Sequence, residues 1–360
     1  MDIEHLIKTT LEIQAIPAPT FNEKLRADYV RAAFDEIGLQ EISIDKVGNV
    51  YGKIEGGEGR PLILTAHMDS VFPIGTSLEV TQGDNRIVGA GIGDNAVALG
   101  VLLELPNDLQ ISELQSDAWF VGTVGEEGLG NLQGMKEVVR RFEEEVSGYI
   151  VIEGMALGYI YHRGLPISRF RIEANTLGGH SWIHASRPSA VHALIKLSSE
   201  MIKLDLPQSP KTTLNIGRIQ GGTSINTIAS HAEIEIDIRS DAAEEIGTLE
   251  TQIRDLITGM NTDEVTLEMT NIGTRPAGAI SEKHPLVLAA LDSYKAIGKE
   301  ICILETGSTD ASYPLSLGLP AICVGITKGG GAHSLNEYIE ISPIERGYAA
   351  LLDLIERFKD

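Results

Sequence analysis

Cysteine and long apolar runs are both scarce in this sequence. Only two of the 360 residues are cysteines, Cys302 and Cys323, which is too few for the disulfide framework of a small secreted domain. Both lie in apolar segments, so we expect unreactive core residues. No apolar run approaches the roughly 18 residues of a membrane span. The charged N-terminal segment MDIEHLIKTTLEIQ is unlike a signal peptide, and we therefore expect a cytoplasmic protein.

Basic residues are also few for a chain of this length. The sequence has 29 Lys and Arg against 51 Asp and Glu, which gives a net charge of −22. Proteins that bind nucleic acids or anionic membrane surfaces bring clustered Lys and Arg to the phosphates. We therefore expect neither nucleic acid nor a membrane as a partner, and the acidic excess favours solubility.

What the sequence does contain is a set of short apolar runs, in a chain long enough for about two domains. The runs are continuously apolar, which is typical of strands buried on both faces of a parallel sheet. Helical segments lie between them, at about 94–106 and 132–145. The runs are PLILTA (61–66), AWFVGTV (118–124), GYIVIEG (148–154) and AICVGI (321–326). These parts of the chain predict an α/β fold.

The middle of the chain has a different pattern. Segments such as HAEIEIDIRSD alternate apolar and charged residues, which predicts an antiparallel sheet with one wet face. The predicted elements follow the β-α-β-β-α-β order of a ferredoxin-like unit: strand 167–175, helix 188–204, strand 212–219, strand 231–239, helix 242–259 and strand 264–270. We therefore predict an α/β domain, with a mostly parallel sheet flanked by helices, from residues 1–165 and 272–360. An α+β domain is inserted at 166–271.

One helix carries a recognisable start signal. In TFNEKLRADYVRAAFDEIG, Thr20 and Glu23 have the spacing of a capping box, and Gly38 closes the apolar stripe. The pattern predicts a helix that begins near Thr20.

Polar residues of ligand type follow each buried apolar run. Since ligands of open α/β sheets bind at the carboxyl ends of the strands, we expect these side chains to converge. Taken singly, each has a plainer explanation as a solvated strand end or loop residue. As a set, two histidines and three carboxylates, with a spare glutamate, are what two divalent cations need when one carboxylate bridges them. These six candidates are His67, Asp94, Glu127, Glu153 and His333, with Glu126 as the spare glutamate, and Asp69 could hold the imidazole of His67.

The segment GAGIGDNAVALG (89–100) offers an alternative. Gly91, Gly93 and Ala96 have nearly the spacing of a dinucleotide fingerprint, and Glu113 lies at the distance of its ribose-binding acid. Asp94, however, stands where a pyrophosphate would lie, and a carboxylate would repel it. A dinucleotide-dependent oxidoreductase therefore stays as the alternative to a metal site.

Several motifs together resemble the aminoacylase/carboxypeptidase M20 metallopeptidases, including peptidase T-like members. The resemblance covers nearly the whole chain in the right order, and it implies a zinc-binding α/β domain interrupted by a ferredoxin-like lid that usually forms a homodimer. The motifs are TAHMDSVFP, GAGIGDNAVALG, VGEEGLGN, VIEG, LGGHSW, GGTSINTIA, GSTDASYPLSLGLPA and GGAHSLNEYIE.

The resemblance also implies a role for each candidate at the metal site. His67, Asp94 and Glu153 would hold one metal, and Asp94, Glu127 and His333 would hold the other. The donors are imidazoles and carboxylates without a thiolate, so we expect zinc, with cobalt or manganese as alternatives.

Other residues would serve catalysis and substrate binding in such an enzyme. Asp69 would orient His67, and Glu126 would be the general base that takes a proton from the attacking water and gives it to the departing nitrogen.

Three residues of the predicted lid, and Arg275 just after it, complete the list. His180 would stabilise the oxyanion in a partner subunit's site, while Asn226 and Arg275 would bind substrate, Arg275 through a carboxylate. Arg239 either binds substrate or forms a structural ion pair.

The predicted function is a metal-dependent, exopeptidase-type hydrolase that cleaves an amide bond in small peptides or N-acyl amino acids. Glu153 stands where some members have Asp, which favours carboxypeptidase or deacylase relatives over a simple aminopeptidase. A metal-binding module without hydrolytic activity on the same fold is the other alternative.

Overall fold

The structure is a computed structural model that describes residues 1–110, 114, 116–143, 145–298 and 302–358. The chain divides into two compact units, one of Met1–Gly164 with Gly278–Asp360 and the other of Leu165–Ala277. Across the described residues, no helix has the length and apolar character that crossing a bilayer requires.

The described residues form helices and strands that alternate along most of the chain. The helices are α1 (Ile3–Gln14), α2 (Lys24–Ile37), α3 (Val97–Asp108), α4 (Gln133–Phe142), α5 (Ala190–Met201), α6 (Ala243–Met260), α7 (Pro285–Ala296), α8 (Ser312–Ser316) and α9 (Ile344–Arg357). The strands are β1 (Gln40–Ile44), β2 (Val50–Ile54), β3 (Gly59–His67), β4 (Thr81–Gln82), β5 (Arg86–Val88), β6 (Ser116–Thr123), β7 (Gly148–Glu153), β8 (Tyr159–Gly164), β9 (Ile167–Asn175), β10 (Gly179–His180), β11 (Thr212–Gly221), β12 (Thr227–Ile228), β13 (His231–Ser240), β14 (Thr266–Arg275), β15 (Gly278–Ala279), β16 (Ile303–Gly307), β17 (Ala321–Gly325), β18 (Gly329–Gly330) and β19 (Tyr338–Glu340).

The first unit is built on a large sheet whose centre is parallel. Its strand order is β1-β2-β6-β3-β7-β17-β8-β15, and β16 also pairs with β8. The neighbours β6, β3, β7 and β17 run parallel, and these four strands are the continuously apolar runs of the sequence. The predicted α/β class is confirmed, because burial on both faces is what such runs require.

Helices cover this sheet. Helix α3 is apolar on all sides, and its residues 97–105 are all buried, as expected of a helix enclosed by its neighbours. It packs against α1, α2 and β3. This buried helix begins directly after the segment that contains Asp94, so the segment has a rigid support on its C-terminal side.

A small antiparallel sheet lies beside the large one in the same unit. Its strand order is β18-β19-β5-β4. Strand β5 leads toward Asp94, and β18 and β19 flank the loop that contains His333. The pairing of β19 with β5 therefore joins two segments that are far apart in sequence.

The second unit has an antiparallel sheet of order β11-β13-β9-β14, with α5 and α6 packed on it. Its elements follow the predicted β-α-β-β-α-β order, with the short β10–β12 pair added. Alternate residues such as Ile234, Ile236 and Ile238 enter a separate apolar core, which explains the alternating pattern of the sequence.

The predicted start of α2 is wrong. The helix begins at Lys24, and Thr20 and Glu23 do not form a capping box. The Thr20 hydroxyl donates a hydrogen bond to Asp69 (2.9 Å), and the Glu23 carboxylate accepts hydrogen bonds from the backbone N–H groups of Phe21 (3.0 Å) and Gly125 (3.1 Å). The side chains of Thr20 and Glu23 therefore form these hydrogen bonds instead of capping the helix, as their spacing had predicted.

Candidate metal centre

The site lies at the carboxyl ends of the parallel strands, as the sequence predicts. His67 is the last residue of β3 and Glu153 is the last residue of β7. Glu126 and Glu127 follow β6 within four residues of its end. Parallel pairing aligns the three strand ends, and therefore brings these side chains to one edge of the sheet.

Asp94 lies between two imidazoles, with one carboxylate oxygen toward each. Its Oδ1 is 3.0 Å from Nε2 of His67, and its Oδ2 is 3.3 Å from Nε2 of His333. Each imidazole also faces a glutamate: His67 Nε2 is 3.8 Å from Oε2 of Glu153, and His333 Nε2 is 3.4 Å from Oε1 of Glu127. The structure thus contains two donor triads that share one carboxylate.

Burial and crowding perturb the pKa values of these groups. Burial raises the pKa of Glu127 and that of Glu153 to about 7, and the nearby Asp94 carboxylate acts in the same direction. Burial alone would also raise the pKa of Asp94, but hydrogen bonds from His333 and His67 outweigh burial and lower that pKa. Hydrogen bonds to Asp94 and Glu127 raise the pKa of His333 to about 10.

The His67 ring is oriented from its other nitrogen. Nδ1 lies 3.1 Å from the backbone carbonyl oxygen of Asp69 and 3.5 Å from its carboxylate Oδ1. Since a carbonyl only accepts, Nδ1 bears the proton in this contact, and Nε2 faces Asp94.

The Asp69 carboxylate binds the turn that follows β6. It accepts hydrogen bonds from the backbone N–H groups of Glu126 (3.0 Å) and Glu127 (2.9 Å), in addition to the one from Thr20. The carboxylate is fully buried. It therefore positions both glutamates as well as flanking His67, a role that the sequence did not predict.

The dinucleotide interpretation of the glycine-rich segment is wrong. The N–H groups of Gly93 and Asp94 both donate to Oε1 of Glu337, at 2.7 and 2.8 Å. The anion held by this loop is therefore a side chain of the protein, and Asp94 itself is part of the histidine–carboxylate cluster. Glu113, the proposed ribose-binding acid, lies outside the described residues.

Sequence reasoning missed four buried residues around the site. Asn95 joins the Asp94 segment to the end of β7, and Glu337 accepts hydrogen bonds from that segment, as described below. Arg26 donates to the carbonyl oxygens of Met68 (2.8 Å) and Ile16 (2.7 Å).

The fourth missed residue is Asp310, which accepts a hydrogen bond from the Thr123 hydroxyl (2.7 Å) at the end of β6. Burial, together with the charge of Glu126, raises the pKa of Asp310 to about 7. Asp310 stands in the polar segment GSTDAS (307–312), which gives no local sign that this carboxylate is buried, and no partner could be assigned from the sequence.

The remaining predicted residues belong to the second unit. Nδ1 of His180 accepts hydrogen bonds from the N–H groups of Trp182 (3.2 Å) and Ile183 (3.5 Å). The backbone carbonyl of Asn226 accepts one from Ser181 (3.0 Å). His180 and Asn226 are therefore close together at the β10–β12 pair.

Two arginines lie at the other end of this unit's sheet. Arg239 and Arg275 both pair with Ile167, on opposite sides of β9. Arg239 forms an ion pair with Asp237 (2.7 Å), whereas Arg275 is buried. The ion pair favours the structural interpretation of Arg239.

The donor set of the first unit is chemically suited to divalent cations, and its tightest cluster takes donors from both triads. One donor atom each from His67, Asp94 and Glu127 lies within 4.8 Å of the others. Carboxylates packed this closely repel one another, and burial increases the unfavourable free energy of this repulsion. Cations bound between the carboxylates would lower that free energy. Imidazole nitrogens and carboxylate oxygens are ligands for zinc, and also for manganese and cobalt.

Comparisons with known proteins identify the family of this chain. A family model described as Peptidase family M20/M25/M40 matches residues 63–357. A peptidase M20 domain-containing protein of Schizosaccharomyces pombe is 29% identical over 268 residues, which are 70% of this chain and 63% of that protein. A succinyl-diaminopimelate desuccinylase of Corynebacterium glutamicum is 23% identical over 355 residues, 94% of this chain and 92% of that protein.

Solved structures have the same fold over the whole chain. A tripeptidase from Staphylococcus aureus is 22% identical with a TM-score of 0.80, covering 99% of both chains. A dinuclear metal-binding peptidase of the M20 family from Bacillus subtilis is 17% identical with a TM-score of 0.69, covering 99% of this chain and 98% of that one. The chain belongs to peptidase family M20/M25/M40 and is a hydrolytic enzyme of the metallopeptidase and amidohydrolase type.

Proposed function

We propose that the protein is a di-metal-dependent hydrolase that cleaves an amide bond in small peptides or N-acyl amino acids. One observation carries the proposal: the Asp94 carboxylate directs one oxygen to His67 (3.0 Å) and the other to His333 (3.3 Å). A carboxylate shared in this way by two donor triads is suited to bridge two cations.

Each triad would hold one metal. His67, Asp94 and Glu153 form the first set, and Asp94, Glu127 and His333 form the second. When bound, the cations would polarise the amide carbonyl and lower the pKa of water toward ~7. We propose zinc, with cobalt or manganese as alternatives that the same donors accept.

Glu126 is assigned as the general base. It is adjacent to the ligand Glu127, it is buried, and its backbone is held in place by Asp69. Successive residues of an extended turn direct their side chains differently, so one glutamate binds metal while the other faces the substrate. The Glu126 carboxylate takes a proton from the attacking water and transfers it to the departing amide nitrogen.

Substrate recognition is assigned to the second unit. Arg275 would bind a substrate carboxylate, with Asn226 as a further polar contact, and His180 would stabilise the oxyanion. Arg239 is kept as a weaker candidate because Asp237 already binds it. The names of the relatives, a tripeptidase and a succinyl-diaminopimelate desuccinylase, support a small peptide or an N-acyl amino acid as substrate.

We also propose a homodimer formed through the second unit, in which His180 serves the partner's site. Three large apolar side chains close to His180 and Asn226 are highly exposed: Trp182 (86%), Ile183 (72%) and Ile225 (104%). Apolar groups exposed together in this way support a surface that a second subunit covers.

The test is a comparison of Glu126→Gln with Glu58→Gln, which makes the same chemical change at an exposed position. Both proteins are loaded with Zn²⁺, Co²⁺ or Mn²⁺ and assayed on di- and tripeptides and N-acyl amino acids. We expect two metals per chain in both variants and a kcat at least about 100-fold lower in Glu126→Gln only. Unchanged turnover in Glu126→Gln would refute the assignment of the base.

The same assay separates the alternative function. A protein that binds two metals but cleaves none of these substrates would fit a metal-binding module. One metal per chain, or none, would refute the di-metal centre itself.

A further inference from the structure

We propose that Asn95 and Glu337 are positioning residues that fix Asp94 separately against the two halves of the metal centre. The inference rests on the proposed di-metal function and adds to it a separate positioning residue for each metal. Asn95 would align Asp94 with the ligand set of the first metal, and Glu337 would align it with the set of the second.

The contacts of Asn95 surround Glu153. Its side-chain Nδ2 donates to the carbonyl oxygen of Ile152 (3.0 Å), and its Oδ1 accepts from the N–H of Gly154 (2.8 Å). Asn95 is fully buried and directly follows Asp94. Its two hydrogen bonds therefore connect the residue after one metal ligand to both neighbours of another.

Glu337 makes the corresponding connection on the other side. Its Oε1 accepts from the N–H groups of Gly93 and Asp94, and its backbone carbonyl accepts from Gly89 (2.8 Å). Successive N–H groups that converge on one oxygen form a nest, which binds an anion strongly. Glu337 is fully buried, so no solvent competes for these bonds.

The loop that contains Glu337 also contains His333. Strands β18 and β19 pair on either side of it, and the N–H of Glu337 donates to the carbonyl oxygen of Ser334 (3.1 Å). Ser334 in turn donates through its hydroxyl to Gly331 (2.7 Å). His333 and Glu337 thus belong to one hydrogen-bonded turn, and Glu337 sets the position of Asp94 relative to His333.

The two anchors act on different ligand pairs. His67 and Glu153 end neighbouring strands of the large sheet, and Asn95 joins Asp94 to that frame. Glu127 and His333 lie on turns, and Glu337 joins Asp94 to the turn that contains His333. Removal of either anchor should therefore weaken one metal more than the other, by about 10- to 100-fold, as is usual when a residue that orients a ligand is removed.

The experiment measures Zn²⁺ affinity in two backgrounds, by competition with a chromophoric chelator. His333→Ala leaves the set of His67, Asp94 and Glu153, and Glu153→Ala leaves the set of Asp94, Glu127 and His333. Asn95→Ala and Glu337→Ala are then added to each background. We expect Asn95→Ala to weaken the remaining site mainly in His333→Ala, and Glu337→Ala to weaken it mainly in Glu153→Ala.

Two further variants guard against general damage. Glu337→Gln keeps an oxygen that accepts both N–H groups, and it should recover Zn²⁺ affinity to within about threefold of the parent background. Glu340→Ala changes an acid three residues along the same segment, and it should leave Zn²⁺ affinity unchanged. Circular dichroism on every variant verifies the fold.

The outcomes distinguish this inference from the function on which it rests. If the unmodified protein binds fewer than two Zn²⁺ ions, the di-metal proposal fails first. If it binds two, an equal loss of Zn²⁺ affinity from Asn95→Ala and Glu337→Ala in both backgrounds would overturn the inference that each residue serves a different metal. So would wild-type affinity in Glu337→Ala, or a failure of Glu337→Gln to recover.

Discussion

The carboxylate of Asp69 accepts a hydrogen bond from the backbone N–H of Glu126 at 3.0 Å. Its second oxygen accepts one from the N–H of Glu127 at 2.9 Å. Asp69 lies two positions after His67, a proposed metal ligand, and it therefore holds the turn that contains Glu127, a second proposed ligand, and the proposed base Glu126. The two strand ends cannot move independently while this carboxylate is in place.

We expect Asp69→Asn to lower both stability and turnover. An asparagine has one acceptor oxygen, so at least one buried N–H group loses its partner, at a cost of about 1–3 kcal/mol in the free energy of unfolding. Displacement of the Glu126 turn should lower kcat by up to about 100-fold. Urea denaturation and steady-state kinetics measure the two effects.

The matched variant is Thr20→Val, which removes one donor and leaves both backbone N–H bonds to Asp69. It should lose less stability than Asp69→Asn and keep most of the turnover. Equal losses in the two variants would show that the backbone bonds are not what matters.

Binding of metal should release protons from the metal-free protein. The pKa values of Glu153 and Glu127 are raised to about 7 and that of His333 to about 10, so all three hold protons near neutral pH. Metal ligands must be deprotonated, so affinity should rise with pH between about 6 and 9. Calorimetric titration with Zn²⁺ in buffers of different ionisation enthalpy measures the release, which we expect to be about one proton or more.

Glu153→Gln removes one of the titrating groups and should release fewer protons than the unmodified protein. A heat of binding that does not depend on the buffer would contradict this prediction.

Gly154→Ala should disturb the metal centre through simple contact. A Cβ atom at this position would lie 2.1 Å from the backbone oxygen of Gly93 and 2.3 Å from Cγ1 of Val97. Gly93 directly precedes Asp94, so backbone movement there should weaken Zn²⁺ binding, and the strain should cost about 1–3 kcal/mol of stability. Zn²⁺ titration and thermal melting test this, and unaltered Zn²⁺ affinity would contradict it.

Gly247→Ala should have the opposite effect on stability. Gly247 is exposed in the interior of α6, and a Cβ atom there would meet nothing within 4 Å. Glycine in a helix costs about 0.5–1 kcal/mol relative to alanine, so the variant should unfold at a higher temperature with unchanged kcat. A lower Tm would show that Gly247 has a role that its open surroundings do not explain.

The parts of the molecule that the sequence predicted share a physical cause. The strands of the parallel core follow from continuous apolar runs, as in residues 148–154, which contain β7 (Gly148–Glu153). The proposed ligand positions His67 and Glu153 follow from the rule that parallel strands end at one edge. These inferences use only local patterns and one rule of topology.

The anchors of the site could not be found in this way. Asp94 and Glu337 are 243 positions apart, and the pairing of β19 with β5 that brings them together has no local signal. Thr20 and Glu23 show the opposite case. Their spacing fits a capping box, but their side chains form hydrogen bonds with Asp69 and with the N–H of Gly125 instead. The hydrogen-bond partners of these buried polar residues are brought together by the tertiary structure. A single sequence has no local pattern that predicts such contacts.

His67 and His333 differ greatly in exposure: 1% of the first side chain and 56% of the second are accessible to solvent. In the proposed di-metal centre, a chelator in the surrounding buffer would reach the ion beside His333 first, while the ion beside His67 would be shielded by the sheet. Protein purified in the presence of such a reagent would then hold one metal per chain instead of two. Its specific activity would depend on how the sample had been prepared. Preparations should therefore be compared only after the metal content of each has been counted.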